Sequence, residues 1–163
     1  MDLIRYQGNP DGQAQLTQKL DGLLTDYELY HRNLRRIHWD QKLRPYLDFN
    51  EKLTKLYHIA DNSKNEIAEN LLALGGEPDL QNIEVAHLLP ERRVNAITQV
   101  HDFDQATRTV VQNSYQLLQE VRNIFFLAAE LGEQRTQQLM AGLAQQLSFT
   151  VGIFNGVRLA QMN

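Results

Sequence analysis

The chain has 163 residues, 42% of them hydrophobic and 22% charged, with a formal charge of −4 and no cysteine. That length makes one domain with room for a sizeable core, and the missing cysteines exclude disulfides, zinc–thiolate sites and thiol nucleophiles, as suits a reducing cytoplasm. A net negative surface repels a polyanion on average, so DNA would need a local basic patch or a bridging cation.

Prolines stand only at 10, 45, 78 and 90, and the text between them is rich in Leu, Ala, Gln, Glu and Arg, all strong helix formers. The first eleven residues, MDLIRYQGNPD, are expected to be flexible, with a single bundle domain over 12–163. No charged start followed by an apolar run marks a signal peptide, and the longest apolar cluster, Ile124 to Ala129, is too short to span a bilayer. A cytoplasmic protein with no membrane partner is expected.

A first helix is predicted from Gly12 to Asp40, where Leu16, Leu20, Leu23, Tyr27, Tyr30, Leu34 and Ile37 recur at threes and fours. Pro45 suits the first turn of a second helix, which runs to Leu74 and stops at Gly75-Gly76 with Pro78 beyond. A third is predicted from Arg92 to Leu131, through Val94, Ile97, Val100, Ala106, Val110, Leu117, Val121, Ile124 and Ala128. Gly132 breaks it, and a fourth runs from Glu133 to about Leu159, through Leu139, Leu143, Leu147, Val151 and Phe154. No Asn-Gly hairpin and no internal repeat interrupts this pattern. The connection from Gly75 to Pro90 is long, and its Ile83, Val85, Leu88 and Leu89 could form a short extra helix. Two tight connections around one long crossover describe an all-α four-helix bundle of the ferritin-like arrangement.

Two stretches carry more specific information. HRNLRRIHWD ends at residue 40, and NEIAENLLALGGEP runs from Asn65 to Pro78. They resemble the signature of the Dps family of mini-ferritins (DNA-binding proteins from starved cells). That signature is a His-Trp pair near the end of the first helix, a second His twelve residues on, and a DEIAER run followed by LGG and Pro. The resemblance implies a hollow dodecamer with iron-oxidising sites shared across each two-fold interface. Histidines come from one subunit and carboxylates from its partner, and iron(II) is oxidised, preferably by hydrogen peroxide, and stored. Iron(II) favours imidazole with carboxylate, and the carboxylates offset the charge gained on oxidation.

Carried over by residue, the resemblance implies a reduced ligand set. His38 matches the first His and Glu69 the Glu of the DEIAER run, while Asn50, Thr54 and Asn65 stand where a His and two carboxylates are expected. An amide oxygen can ligate but carries no charge. Trp39 matches the family Trp, which sits beside the site and takes up oxidising equivalents; the plainer reading is packing. On the second helix Thr54, His58, Asp61, Asn65 and Glu69 share one stripe. A shifted site from His38, His58, Asp61 and Glu69 is therefore open, against a merely polar subunit contact. His31, His87 and His101 read as surface, interface or packing histidines.

The family's acidic three-fold pores are matched by GEQRTQQLM, where Glu133 remains, Arg135 adds positive charge and Gln137 and Gln138 are neutral. Members that bind DNA directly often use a Lys-rich N-terminal tail; this one has one Arg and two Asp. Arg32, Arg35, Arg36, Lys42 and Arg44 form the basic cluster, more simply read as a solvated face. Two functions remain open: a Dps-type cage that binds and stores iron at a degraded or shifted site, or a cage without ferroxidase chemistry that serves as a shell, a nucleoid component or a partner in mixed cages. A helical interaction module outside the family fits the periodicity but not the gap-free register.

Overall fold

Pro10 occupies the first turn of a helix, where its missing N–H costs nothing, and the Asn9 side chain accepts the Gly12 N–H at 3.2 Å to cap it. The computed structural model describes residues 9–79 and 93–162. Helix α1 spans Pro10–His38, a 3-10 turn spans Gln41–Leu43, and α2 spans Leu47–Ala73. Helices α3 (Phe103–Leu131) and α4 (Gln134–Met162) complete an all-α, ferritin-like four-helix bundle. Pro10 and Asp11 thus belong to α1 rather than to a flexible leader. α1 packs on α2 and α3, and α4 packs on α3 and α2.

The apolar stripes meet in the middle. Leu16, Leu20, Leu23, Tyr27, Tyr30, Leu34 and Ile37 of α1 are buried against Leu53, Leu56, Ala60 and Ile67 of α2 and Val110, Leu117, Val121 and Ile124 of α3. An aromatic cluster closes one end: Phe103 stacks on Tyr46 at 4.2 Å and meets Phe49 edge-on at 5.2 Å, and Phe49 meets Phe154 at 5.9 Å. Several buried polar groups pair across the helices, Tyr30 Oη with Ser114 Oγ at 2.8 Å and Thr136 Oγ1 donating to Asn70 Oδ1 at 2.9 Å. Gly132 sits at φ 72°, so α3 can stop in a left-handed residue and α4 can turn back against it.

The third helix corrects the sequence expectation. It starts at Phe103, not Arg92, and residues 95–102 carry no helix. Val94 and Val100 are buried, but as part of an extended stretch laid along α1. Side chains hold it there. Asp26 Oδ1 accepts the N–H of Arg93 and of Val94, Asn33 Oδ1 accepts that of Ile97, and Asn33 Nδ2 donates to the Asn95 carbonyl. Arg36 donates to the Thr98 carbonyl and Lys42 to that of Val100. Asp102, in an extended conformation, then caps α3 by accepting the Gln105 N–H at 2.7 Å. The short extra helix proposed around Ile83, Val85, Leu88 and Leu89, and His87 with it, lies outside the described residues. No described helix is long and apolar enough to cross a membrane.

Candidate metal centre

The end of α1 presents the surviving histidine. His38 is the last residue of that helix, half-buried, with its Nδ1 buried and unpartnered within the chain. Its ring lies 6.5 Å from that of Tyr57 on α2, nearly parallel to it. Trp39 caps the helix and is 71% exposed, with the Arg35 guanidinium 5.4 Å from its ring.

Two of the residues at the other expected ligand positions, Asn50 and Thr54, are bonded to backbone carbonyls. Asn50 Nδ2 donates to the carbonyls of Leu43 at 2.8 Å and Tyr46 at 2.9 Å, tying the 3-10 turn to the first turn of α2. Thr54 Oγ1 donates to the Asn50 carbonyl at 2.9 Å. Both side chains are thereby committed to holding the entry of α2 in shape. Asn65 and Glu69 are exposed, as are His58 and Asp61.

Spacing along α2 decides what one chain can assemble. His38 lies level with Tyr57, and Glu69 is twelve residues further on, about 18 Å along a helix rising 1.5 Å per residue. One chain therefore cannot bring His38 and Glu69 to one ion. His58 and Glu69 are separated by about 16 Å on the same reckoning. Among the described residues no three His, Cys, Asp or Glu side chains are placed to hold a metal together.

The α1–α2 seam beside these positions holds a charged cluster. Lys64 Nζ lies 2.8 Å from Glu28 Oε2, 3.1 Å from His31 Nδ1 and 3.7 Å from Asp61 Oδ1, and Arg32 Nε lies 3.1 Å from Glu28 Oε1. His31 is buried, not a surface residue, and its ring stacks on Tyr57 at 4.3 Å. Burial lowers its pKa below the usual histidine range, and the Lys64 charge lowers it further. Burial pushes the Glu28 carboxyl up, but hydrogen bonds and charge from Lys64 and then Arg32 outweigh it and leave the group below the usual carboxylate range. Glu28, Tyr57 and Lys64 carry no family motif. The available clue was Asp61-x-x-Lys64 beside Glu28-x-x-His31, each pair one helical turn apart.

At the proposed pore, Glu133 is half-buried and accepts the Gln13 side-chain amide at 3.2 Å, while Arg135 and Gln138 are exposed. Along the basic cluster, Arg32 is paired with Glu28, and Arg36 and Lys42 hold the extended stretch. With Arg35 over the Trp39 ring, four of the five cations thus have partners within the chain.

The bundle and its single crossover define a ferritin-like protein, and residues 13–147 match the ferritin-like domain family. The chain is 30% identical over 132 residues, 79% of each protein, to the DNA protection during starvation protein of Porphyromonas gingivalis. It is 24% identical over 133 residues to general stress protein 20U of Bacillus subtilis, covering 82% of this chain and 90% of that one. Its fold matches the Dps protein of Vibrio cholerae with a TM-score of 0.81, at 23% identity over 91% of both chains. Antigen TpF1 of Treponema pallidum gives the same TM-score at 19% identity, over 93% of this chain and 96% of that one. Within the ferritin-like proteins, the chain belongs to the Dps family of mini-ferritins.

Proposed function

We propose that this chain is the subunit of a Dps-type hollow dodecamer that binds iron at sites shared between two copies, with iron oxidation weakened or lost. The bundle, from Pro10 onward, acts as one domain in that assembly. His38 of one copy and Glu69 of another are the remaining ligands, and Asn50, Thr54 and Asn65 supply no charge. The separation of about 18 Å along α2 between the level of His38 and Glu69 carries this reading. The two ligands have a common purpose only if another copy, running the other way, brings its α2 alongside. The remaining set holds one carboxylate, so it offsets little of the charge gained when iron(II) becomes iron(III). Trp39, exposed beside His38 in the single chain, takes up oxidising equivalents in this reading. The pore near Glu133, Arg135 and Gln138 draws cations weakly, and DNA finds little free positive charge on the arginine cluster.

Two measurements test this. Twelve copies of an 18.8 kDa chain give about 226 kDa by light scattering; a monomer or dimer overturns the cage. Iron(II) oxidation with hydrogen peroxide, followed by iron per assembly after gel filtration, tests the site. Oxidation close to the protein-free blank is the expected result. A rate far above the blank, with hundreds of irons retained, overturns the weakened site and directs attention to His58 and Asp61 as replacement ligands.

A further inference from the structure

The outer face of α2 reads the same in both directions. Leu47, Thr54, His58, Asp61, Asn65 and Leu72 fall within about 60° of arc on a helix of 3.6 residues per turn. They lie opposite Leu53, Leu56, Ala60 and Ile67, which are buried. Their intervals are seven, four, three, four and seven residues, symmetric about a point between Ile59 and Ala60. The chemistry is complementary across that point. Leu47 is 78% exposed and Leu72 55%, an uncovered leucine at each end of the stripe. His58 and Asp61 are exposed at its centre, an N–H donor one turn from a carboxylate acceptor. His58 has no hydrogen-bond partner among the described residues, and Asp61, 3.7 Å from Lys64 Nζ, keeps a side chain 52% exposed. A second α2 running the other way finds leucine opposite leucine and imidazole opposite carboxylate, each twice by symmetry.

We propose that two copies of this chain pack α2 against α2 antiparallel in this register, with His58 of each donating to the partner's Asp61, and that these two bonds position the shared metal ligands. Resting on the shared-site reading above, this register also says where the ligands meet. Asn50 and Glu69 stand equally far from the same midpoint, as do Thr54 and Asn65. The partner's Glu69 thus comes level with Asn50. Helical side chains lean toward the N-terminus of their own helix. The Tyr57 ring, with His38 beside it, leans toward the turn at Thr54, and the partner's Glu69 leans from the level of Asn50 toward the same turn. The matched leucines close the two ends of the contact, about 38 Å apart along α2, and remove apolar surface from water there.

Light scattering during dilution of the whole protein, without metal, tests this. His58→Asp sets carboxylate against carboxylate, and Asp61→Lys sets ammonium against imidazole. Each alone is expected to raise the protein concentration at half-dissociation at least about tenfold. In an equimolar mixture of the two variants, the new carboxylate of one chain meets the new ammonium of the other, and the unchanged Asp61 meets the unchanged His58. Half-dissociation within about threefold of the parent is then expected. An effect confined to one chain, through the Asp61–Lys64 pair, is not mended by mixing. Single variants that associate like the parent, or a mixture no stronger than they are, overturn the register while the parent's own assembly upholds the shared site. A monomeric parent overturns both. If a charge variant does not fold, His58→Cys mixed with Asp61→Cys in this otherwise cysteine-free chain is expected to form a disulfide-linked pair more readily than either variant alone. The absence of that pair overturns the proposal equally.

Discussion

Replacing Asn33 by alanine should detach the extended stretch before α3 from the bundle. The side chain is 3% exposed and makes three hydrogen bonds to two parts of the chain. Its Nδ2 donates to the Asn95 carbonyl at 2.8 Å and to Asn113 Oδ1 at 2.9 Å, and its Oδ1 accepts the Ile97 N–H at 3.0 Å. Alanine removes all three and leaves their partners behind. Each bond contributes about 1 kcal/mol net, so the loss is about 3 kcal/mol, or about 2 kcal/mol if water reaches the exposed Asn95 carbonyl. For a domain of this size each kcal/mol lowers Tm by about 2–4 °C, which predicts a drop of about 4–12 °C at fixed protein concentration. Hydrogen exchange separates local from global effects. The Ile97 amide should lose protection far more than amides in the middle of α1 and α3. A melt within 2 °C of the parent on the order of experimental scatter, with Ile97 exchange unchanged, would refute the reasoning.

Restoring Asn50→His, Thr54→Asp and Asn65→Asp together should raise peroxide-driven iron(II) oxidation by at least about tenfold, because the set regains an imidazole and two carboxylates; equal rates would sink the ligand account. The same triple variant should melt a few degrees lower, since Asn50 and Thr54 give up their bonds to the carbonyls of Leu43, Tyr46 and Asn50. His31 makes stability depend on pH. Its folded pKa is depressed, so as pH falls below 6.5 the unfolded chain takes a proton that the folded chain refuses, and stability declines until the folded pKa is reached. His31→Gln should flatten that part of a denaturation-against-pH curve, and an unchanged slope would contradict it. Gly132→Ala forces a side chain to φ 72° and should cost about 1 kcal/mol, read in the same denaturation assay.

The four helices were legible because each buries a stripe at threes and fours, and their ends fall where proline and glycine put them. The start of α3 was not, for a physical reason. Val94, Ile97 and Val100 recur every three residues, which fits a helix face but equally fits an extended stretch touching a neighbouring helix at intervals. What decides between them is Asp26, Asn33, Arg36 and Lys42, whose side chains take the backbone groups of that stretch, and periodicity does not register such bonds. Asp102-x-x-Gln105 was the readable sign. Asp102 caps the helix, and Gln105 reaches back to accept the His101 N–H. At the site, the register of His38, Trp39 and Glu69 was readable from the motif. The Lys64 cluster was not, because its members lie 36 residues apart and meet only once α1 and α2 pack side by side.

At the entry of α2 and at the α1–α2 seam, charge and hydrogen bonding are balanced within the chain. A full set of carboxylates and imidazoles crowded at an interface repels itself until a metal arrives, so a metal-binding frame is strained when empty. Here Asn50 and Thr54 are neutral and are bonded to their own backbone, and the carboxylates nearest the α1–α2 seam are matched by Lys64 and Arg32. Neither the entry of α2 nor the seam needs an ion to be electrostatically satisfied. The bundle therefore keeps a ferritin-like fold while meeting its own charge and hydrogen-bonding requirements in these two places.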